Sequence, residues 1–145
     1  LGNINVDIIK KYLNLDLIPV LHGDVLIDNK NKFSVLSGDQ MIYFLAKELK
    51  ADRVIMGTDV DGVFDSNPKT NKKVTLYTVI NKNNVKKIKV HETNSIDVTG
   101  GMGGKINELL QLAEVKIKSE IINITKEKIL EKSLTNQKIV KTVIS

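Results

Sequence analysis

Short apolar runs of strand length alternate along this chain with stripes spaced for helices, and that alternation leaves few folds open. Leu17, Ile18, Val20 and Leu21 make one run, with Pro19 near its start, where a missing N–H donor is tolerable. Val54, Ile55 and Met56 make a second, residues 120–124 a third and residues 139–144 a last. Runs this short and this apolar suit strands covered on both faces. Between them, Val6, Ile9 and Leu13 fall at helical spacing behind Asn5, a candidate N-cap. Ile42, Leu45, Ala46 and Leu49 line a second helix, and Ile106, Leu109, Leu110 and Ala113 a third. Residues 25–27 and 33–36, separated by Asp28-Asn29-Lys30-Asn31, are predicted to form a hairpin. Residues 64–95 are expected to hold short elements within long loops, and residues 126–130 a short helix. The pattern predicts an α/β fold, a three-layer sandwich around a largely parallel sheet. With 145 residues, a single domain spanning 1–145 is expected.

Composition excludes several function classes. The net charge of +5 arises from 22 Lys and Arg against 17 Asp and Glu, yet Arg53 is the only arginine. Base readout leans on arginine and single-strand binding on aromatic platforms, and aromatics are only 4%, so nucleic acid is not an expected partner. Lys82, Lys86, Lys87 and Lys89 are expected to form a solvated face. No run approaches the ~20 apolar residues of a membrane-spanning helix, so no membrane is expected. The absence of cysteine rules out disulfides, thiolate zinc sites and cysteine nucleophiles, and fits a reducing cytoplasm. The sequence opens on Leu1 rather than Met, directly before a helical pattern, and a natural start upstream is expected.

Three polar turns stand out: Ser37-Gly38-Asp39, residues 58–63 and residues 99–105. In open parallel sheets, ligands gather beyond the carboxyl ends of strands, where such turns lie. Gly100, Gly101, Gly103 and Gly104 let backbone N–H groups approach a ligand, and helix starts favour anions. Lys105, expected in the first turn of the helix, opposes the helix dipole unless an anion sits there. A flexible turn with a surface lysine is the plainer alternative. The Walker A pattern is excluded because Ile106 follows the lysine. Asp59 and Asp61 could hold Mg²⁺ or accept hydrogen bonds from a ribose or an adenine amine; alternatively, Asp61-Gly62 closes an Asx-type turn. Asp39 caps a helix or orients lysines and metal-bound phosphates. His22 follows a strand candidate, His91 is given no role, and no catalytic-triad or metal-ligating histidine spacing is present.

The segments "IPVLHGDVLID", "FSVLSGDQMIYFLAKELKADRVIMGTDVDGVF" and "NSIDVTGGMGGKINELLQLAE" together resemble the C-terminal half of the amino acid kinase family, in the family's order. T-D-V-D-G-V and D-V-T-G-G-M carry the family, while H-G-D-V and S-G-D tilt the resemblance toward its isopentenyl phosphate kinase branch. The resemblance covers the whole chain, weakly at 64–90 and after 125. It implies ATP-dependent phosphoryl transfer, with Mg²⁺, to a small phosphorylated acceptor such as isopentenyl phosphate, a step of isoprenoid biosynthesis. Lys105 then matches the lysine contacting the transferred phosphate, and Gly100 and Gly101 the backbone lying along the nucleotide. Asp59, Asp61, Gly62 and Val63 match the nucleotide-binding strand end, Gly38 a backbone contact to the substrate phosphate, and Asp39 a carboxylate organising the catalytic lysines. No residue is assigned to a metal, and a homodimer is implied. The family's N-terminal motifs, two glycine loops with a lysine and a substrate-phosphate histidine, have no counterpart here; His22 belongs to a different segment. An N-terminal portion is therefore an expected partner, without which the chain is expected to be inactive. Another family member, acting on UMP, an amino acid or a phosphonate, and a non-catalytic interaction module are the alternatives.

Overall fold

The computed structural model describes residues 5–88 and 101–145, which gather into two compact units, Leu1–Ala51 and Asp52–Ser145. In the first unit, α1 (Val6–Asn14) is capped by the Asn5 side chain, which accepts from the Ile8 N–H at 3.3 Å. An antiparallel hairpin follows, β1 (Asp24–Asp28) paired with β2 (Lys32–Leu36). The Asp28 carboxylate closes its turn, accepting from the N–H groups of Asn31 at 2.9 Å and Lys30 at 2.7 Å, and these two bonds hold its pKa below the ordinary aspartate range. Ser37 and Gln40 then form a reciprocal capping box that starts α2 (Gly38–Glu48). Among the described residues of this unit, Ile9, Leu36, Met41 and Ala46 are the buried apolar ones. The hairpin register puts Val25, Ile27, Phe33 and Val35 on one face, and all four are more than half exposed.

Residues 17–21 depart from expectation. They join no strand ladder among the described residues, and Ile18 and Val20 are 88% and 90% exposed. A continuous apolar run specifies a doubly covered strand only when a neighbouring strand and a covering layer exist to receive it. Among the described residues no strand pairs with it.

The second unit comprises β3 (Arg53–Thr58), β4 (Val63–Phe64), β5 (Leu76–Tyr77), β6 (Val79–Ile80), α3 (Gly101–Glu114), β7 (Lys118–Asn123), α4 (Ile129–Leu134) and β8 (Thr142–Ile144). Its sheet has the order β3-β7-β8-β6, with β3–β7 and β6–β8 parallel and β7–β8 antiparallel, so it is mixed but mostly parallel. Helix α3 packs along β7 and β8, and α4 against β7. Helices on a mostly parallel sheet make this an α/β fold. Every residue of β7 after Lys118 is buried, which is why residues 120–124 carry no polar–apolar alternation. Ile106, Leu109 and Leu112 of α3 and Ile121, Ile122 and Ile144 of the sheet are buried together with Val63 and Ile80.

Three boundaries differ from the sequence expectation. The glycine stretch from Gly101 is the first turn of α3 itself rather than a loop ahead of it. Helix α4 opens at Ile129, not near 126, because Thr125 folds back onto the Asn123 side chain and Lys128 takes a left-handed φ of 60°. The last strand is shorter than residues 139–144, and the two-residue β6, hidden within the loop-rich region, pairs with it. Lys86 and Lys87 are exposed as expected, and Lys82 pairs with Glu114 at 2.9 Å; Lys89 lies outside the described residues.

A charged cluster lies beside β7. The buried Glu120 carboxylate accepts from Lys141 at 2.8 Å and from the Ser133 hydroxyl at 2.9 Å, with Arg53 3.9 Å away. Arg53 itself donates to the Asn136 side chain at 2.9 Å and to the carbonyls of Ser133 and Leu134 at 3.0 Å. Next to Glu120, the Ser119 hydroxyl is fully buried without a hydrogen-bond partner. Leaving a hydroxyl unsatisfied costs about 1–3 kcal/mol. Ser119→Ala is therefore expected to raise stability by about 1 kcal/mol, read as a higher urea midpoint with an unchanged slope.

Candidate functional site

Thr58 ends β3 directly beside Asn123 at the end of the parallel β7, so the loops after both strands leave from one sheet edge. This is the edge at which open α/β sheets gather ligands. The Thr58 hydroxyl donates to the Val60 carbonyl at 2.8 Å and folds the first loop back on itself. Gly62 then takes φ 148°, a conformation side-chain-bearing residues rarely adopt. A Cβ at Gly62 would collide with the Thr142 hydroxyl and lie 2.9 Å from Leu76. That hydroxyl accepts from the Val63 N–H at 2.8 Å and donates to the Tyr77 carbonyl at 2.6 Å, stitching the loop to β8.

Asp61 does not close an Asx-type turn. Its carboxylate accepts from Asn123 Nδ2 at 3.2 Å and pairs with Lys126 through both oxygens, at 2.6 and 2.7 Å. Asp59 is exposed and pairs with Lys69, and the hydrogen bond from that lysine lowers its carboxyl pKa. Asn123, Lys126 and Lys69 did not emerge from the sequence. Asn123 and Lys126 reach Asp61 across 62 and 65 residues, and nothing local marks them.

The start of α3 can be placed from lengths. Helix α3 packs along β7 and joins it through a turn in which Ile117 bonds back to Leu112, so the two run in opposite directions. Its 14 residues span about 21 Å and the six residues of β7 about 20 Å, which carries Gly101 to the carboxyl edge of the sheet. Gly101, with φ 55°, thus opens its helix at the same edge as the 59–63 loop. Lys105 is the fifth helical residue, one position past the first turn, and is partly buried. Gly100 lies outside the described residues, as does His91.

Gly38 and Asp39 belong to the first unit. They are the first two helical residues of α2, behind Ser37, so Ser37 rather than Asp39 is the N-cap. A Cβ on Gly38 would meet nothing within 4 Å, so packing does not demand glycine there. His22 is exposed, its Nδ1 2.8 Å from the Gly23 carbonyl.

In the second unit, the strand edge therefore offers backbone N–H groups at a glycine-opened helix, two carboxylates and their lysines. That set suits a ligand with both phosphate and polar donor groups. Among the described residues, no three His, Cys, Asp or Glu side chains converge as a metal cage would require. No described helix is long and apolar enough to cross a membrane.

Residues 2–123 match the model of the amino acid kinase family. The isopentenyl phosphate kinase of Methanothermobacter thermautotrophicus is 41% identical over 141 residues, which cover 96% of this chain and 53% of that protein. The isopentenyl phosphate kinase of Methanocaldococcus jannaschii is 46% identical over 101 residues, covering 68% and 36%. A solved isopentenyl phosphate kinase structure superposes with a TM-score of 0.80 at 39% identity, over 99% of this chain and 52% of that one. The chain thus spans about half the length, or less, of the relatives it matches.

Proposed function

This chain belongs to the amino acid kinase family, and on that footing we propose that it is the nucleotide-binding part of an enzyme that transfers a phosphoryl group from ATP to isopentenyl phosphate. The reading is carried by one observation: the acidic loop after β3 and the glycine start of α3 share a sheet edge. Likeness to isopentenyl phosphate kinases along nearly the whole chain favours that acceptor over UMP, amino acids or phosphonates.

In phosphoryl transfer, positioning and charge neutralisation supply most of the catalysis. Lys105 would contact the transferred phosphate and offset the charge that grows there, while the N–H groups from Gly100 and Gly101 onward would lie along the nucleotide. Asp59 and Asp61, with Gly62 and Val63 shaping the loop, would accept hydrogen bonds from the nucleoside. Gly38 would offer its N–H to the acceptor phosphate, and Asp39 would organise catalytic lysines. Mg²⁺ would be held chiefly by phosphate oxygens and would neutralise charge on the nucleotide. We further propose that the working enzyme needs an N-terminal portion, is a homodimer and acts in a reducing cytoplasm, to which a cysteine-free chain is suited.

Titration with MgATP tests the reading. The chain alone is expected to bind saturably without turnover, and Lys105→Ala to weaken binding at least about tenfold, or about 1.4 kcal/mol. Absence of a saturable signal, or binding indifferent to Lys105→Ala, would overturn it.

A further inference from the structure

The loop after β3 carries two carboxylates whose surroundings differ. Asp59 and Lys69 form a pair in which both side chains are 61% exposed. Asp61 is only 28% exposed, and its partners come from the end of β7 and the loop that follows. The Lys126 ammonium straddles the carboxylate, 2.6 Å from Oδ1 and 2.7 Å from Oδ2, while Asn123 Nδ2 donates to Oδ1 at 3.2 Å.

Asn123 is itself fixed. It is buried, and its Oδ1 accepts from the Thr125 N–H at 3.1 Å and from the Thr125 hydroxyl at 2.6 Å. With the carbonyl so occupied, the amide NH2 is left to face Asp61. The two ends of the 59–63 loop have their own anchors, the Thr58 hydroxyl on the Val60 carbonyl and the Thr142 hydroxyl on the Val63 N–H. The middle of the loop is held through Asp61.

Asp61 has little acceptor capacity left. A carboxylate offers about four lone-pair sites. Lys126 engages one on each oxygen and Asn123 a third, which leaves one for a single further donor, such as a hydroxyl or an amine of a nucleoside. Lys126, braced by Asn123, thus sets both the orientation of the carboxylate and the number of donors it can still accept.

We propose that Lys126 is a positioning residue for the nucleotide: from the loop after β7 it holds Asp61 with one acceptor site open, so that the 59–63 loop meets one nucleoside donor in a fixed geometry. The proposal rests on the nucleotide-binding reading above. It adds that Lys126 acts through Asp61 and not on the phosphates.

A double-mutant cycle on MgATP affinity tests this. Lys126→Met is expected to raise the Kd about fivefold, the scale of an ion pair of this exposure, and Asp61→Asn about tenfold. The double variant should bind like Asp61→Asn alone, whereas independent actions would multiply to about fiftyfold. Lys126→Arg, which offers two N–H groups to the two oxygens, should restore affinity. Lys126 is half exposed, so Lys126→Met should melt like wild type, and the change in Kd then reports positioning and not unfolding. A Kd unchanged by Lys126→Met, a fully multiplicative loss in the double variant, or no restoration by Lys126→Arg would each overturn the proposal and leave the kinase reading standing. A wild-type chain without saturable MgATP binding would overturn that reading, and this proposal with it.

Discussion

Replacing Glu120 by alanine is expected to lower the stability of the second unit by about 3 kcal/mol and its Tm by about 10 °C. The carboxylate is buried and joins Lys141, Ser133 and Arg53 at one point. Removing it strands a lysine and an arginine that are only about a quarter exposed, together with a fully buried Ser133 hydroxyl. Partly buried cations retain some solvent screening, which places the loss at the low end of the cost of breaking a buried ion pair. Glu120→Gln keeps the volume and an acceptor for Ser133, so it should cost less. The pair of variants also separates charge from shape by pH. Burial raises the Glu120 pKa, but hydrogen bonds from Lys141 and Ser133 and the charges of Lys141 and Arg53 outweigh it, and the net shift is downward. A carboxyl that ionises more readily folded than unfolded contributes fully above its unfolded pKa and loses that contribution as pH falls through its folded one. The gap between wild type and Glu120→Gln should therefore be constant near neutrality and close in acid. A pH-independent gap in chemical denaturation would show that shape, not charge, sets the cost.

Gly62→Val is the second large effect, a loss of about 3 kcal/mol that Gly62→Ala should share in smaller measure. Two costs combine: φ 148° strains any side-chain-bearing residue, and the new Cβ collides with the Thr142 hydroxyl that ties Val63 to Tyr77. Enlarging Gly38 or Gly103 meets no atom within 4 Å, so Gly38→Ala and Gly103→Ala are the matched controls and should leave folding nearly intact. If the Gly62 variants melt like these controls, the loop is not held as described. Nucleotide affinity measured alongside would show whether the loop's shape matters to binding beyond folding.

Local chemistry made much of this fold legible. The Asn5 cap, the hairpin around Asp28 and the stripes of α2 and α3 depend on residues within a turn of one another, so periodicity and capping pattern identify them. The mostly parallel sheet followed from strand and helix alternation. Residues 17–21 misled because an apolar run states what it would bury, not whether a neighbour is present. Helix α4 was displaced because a lysine at left-handed φ carries no signal in residue type. At the candidate site, the 59–63 loop was legible through its aspartates and glycine. Its partners Asn123 and Lys126 were not, since register between two distant strands brings them there.

Arg53 has a further consequence. From the first residue of β3 its guanidinium reaches the last carbonyls of α4, a helix of six residues that is too short to persist alone. The helix is thus latched by the strand at the far end of the sequence of this unit. Unlatching α4 must expose the Glu120 cluster, so residues 129–137 are expected to open with the sheet as one cooperative block rather than fray from the terminus. A lysine at position 53 keeps the charge but cannot serve both carbonyls and Asn136 from a planar fork, and it would turn that block into two.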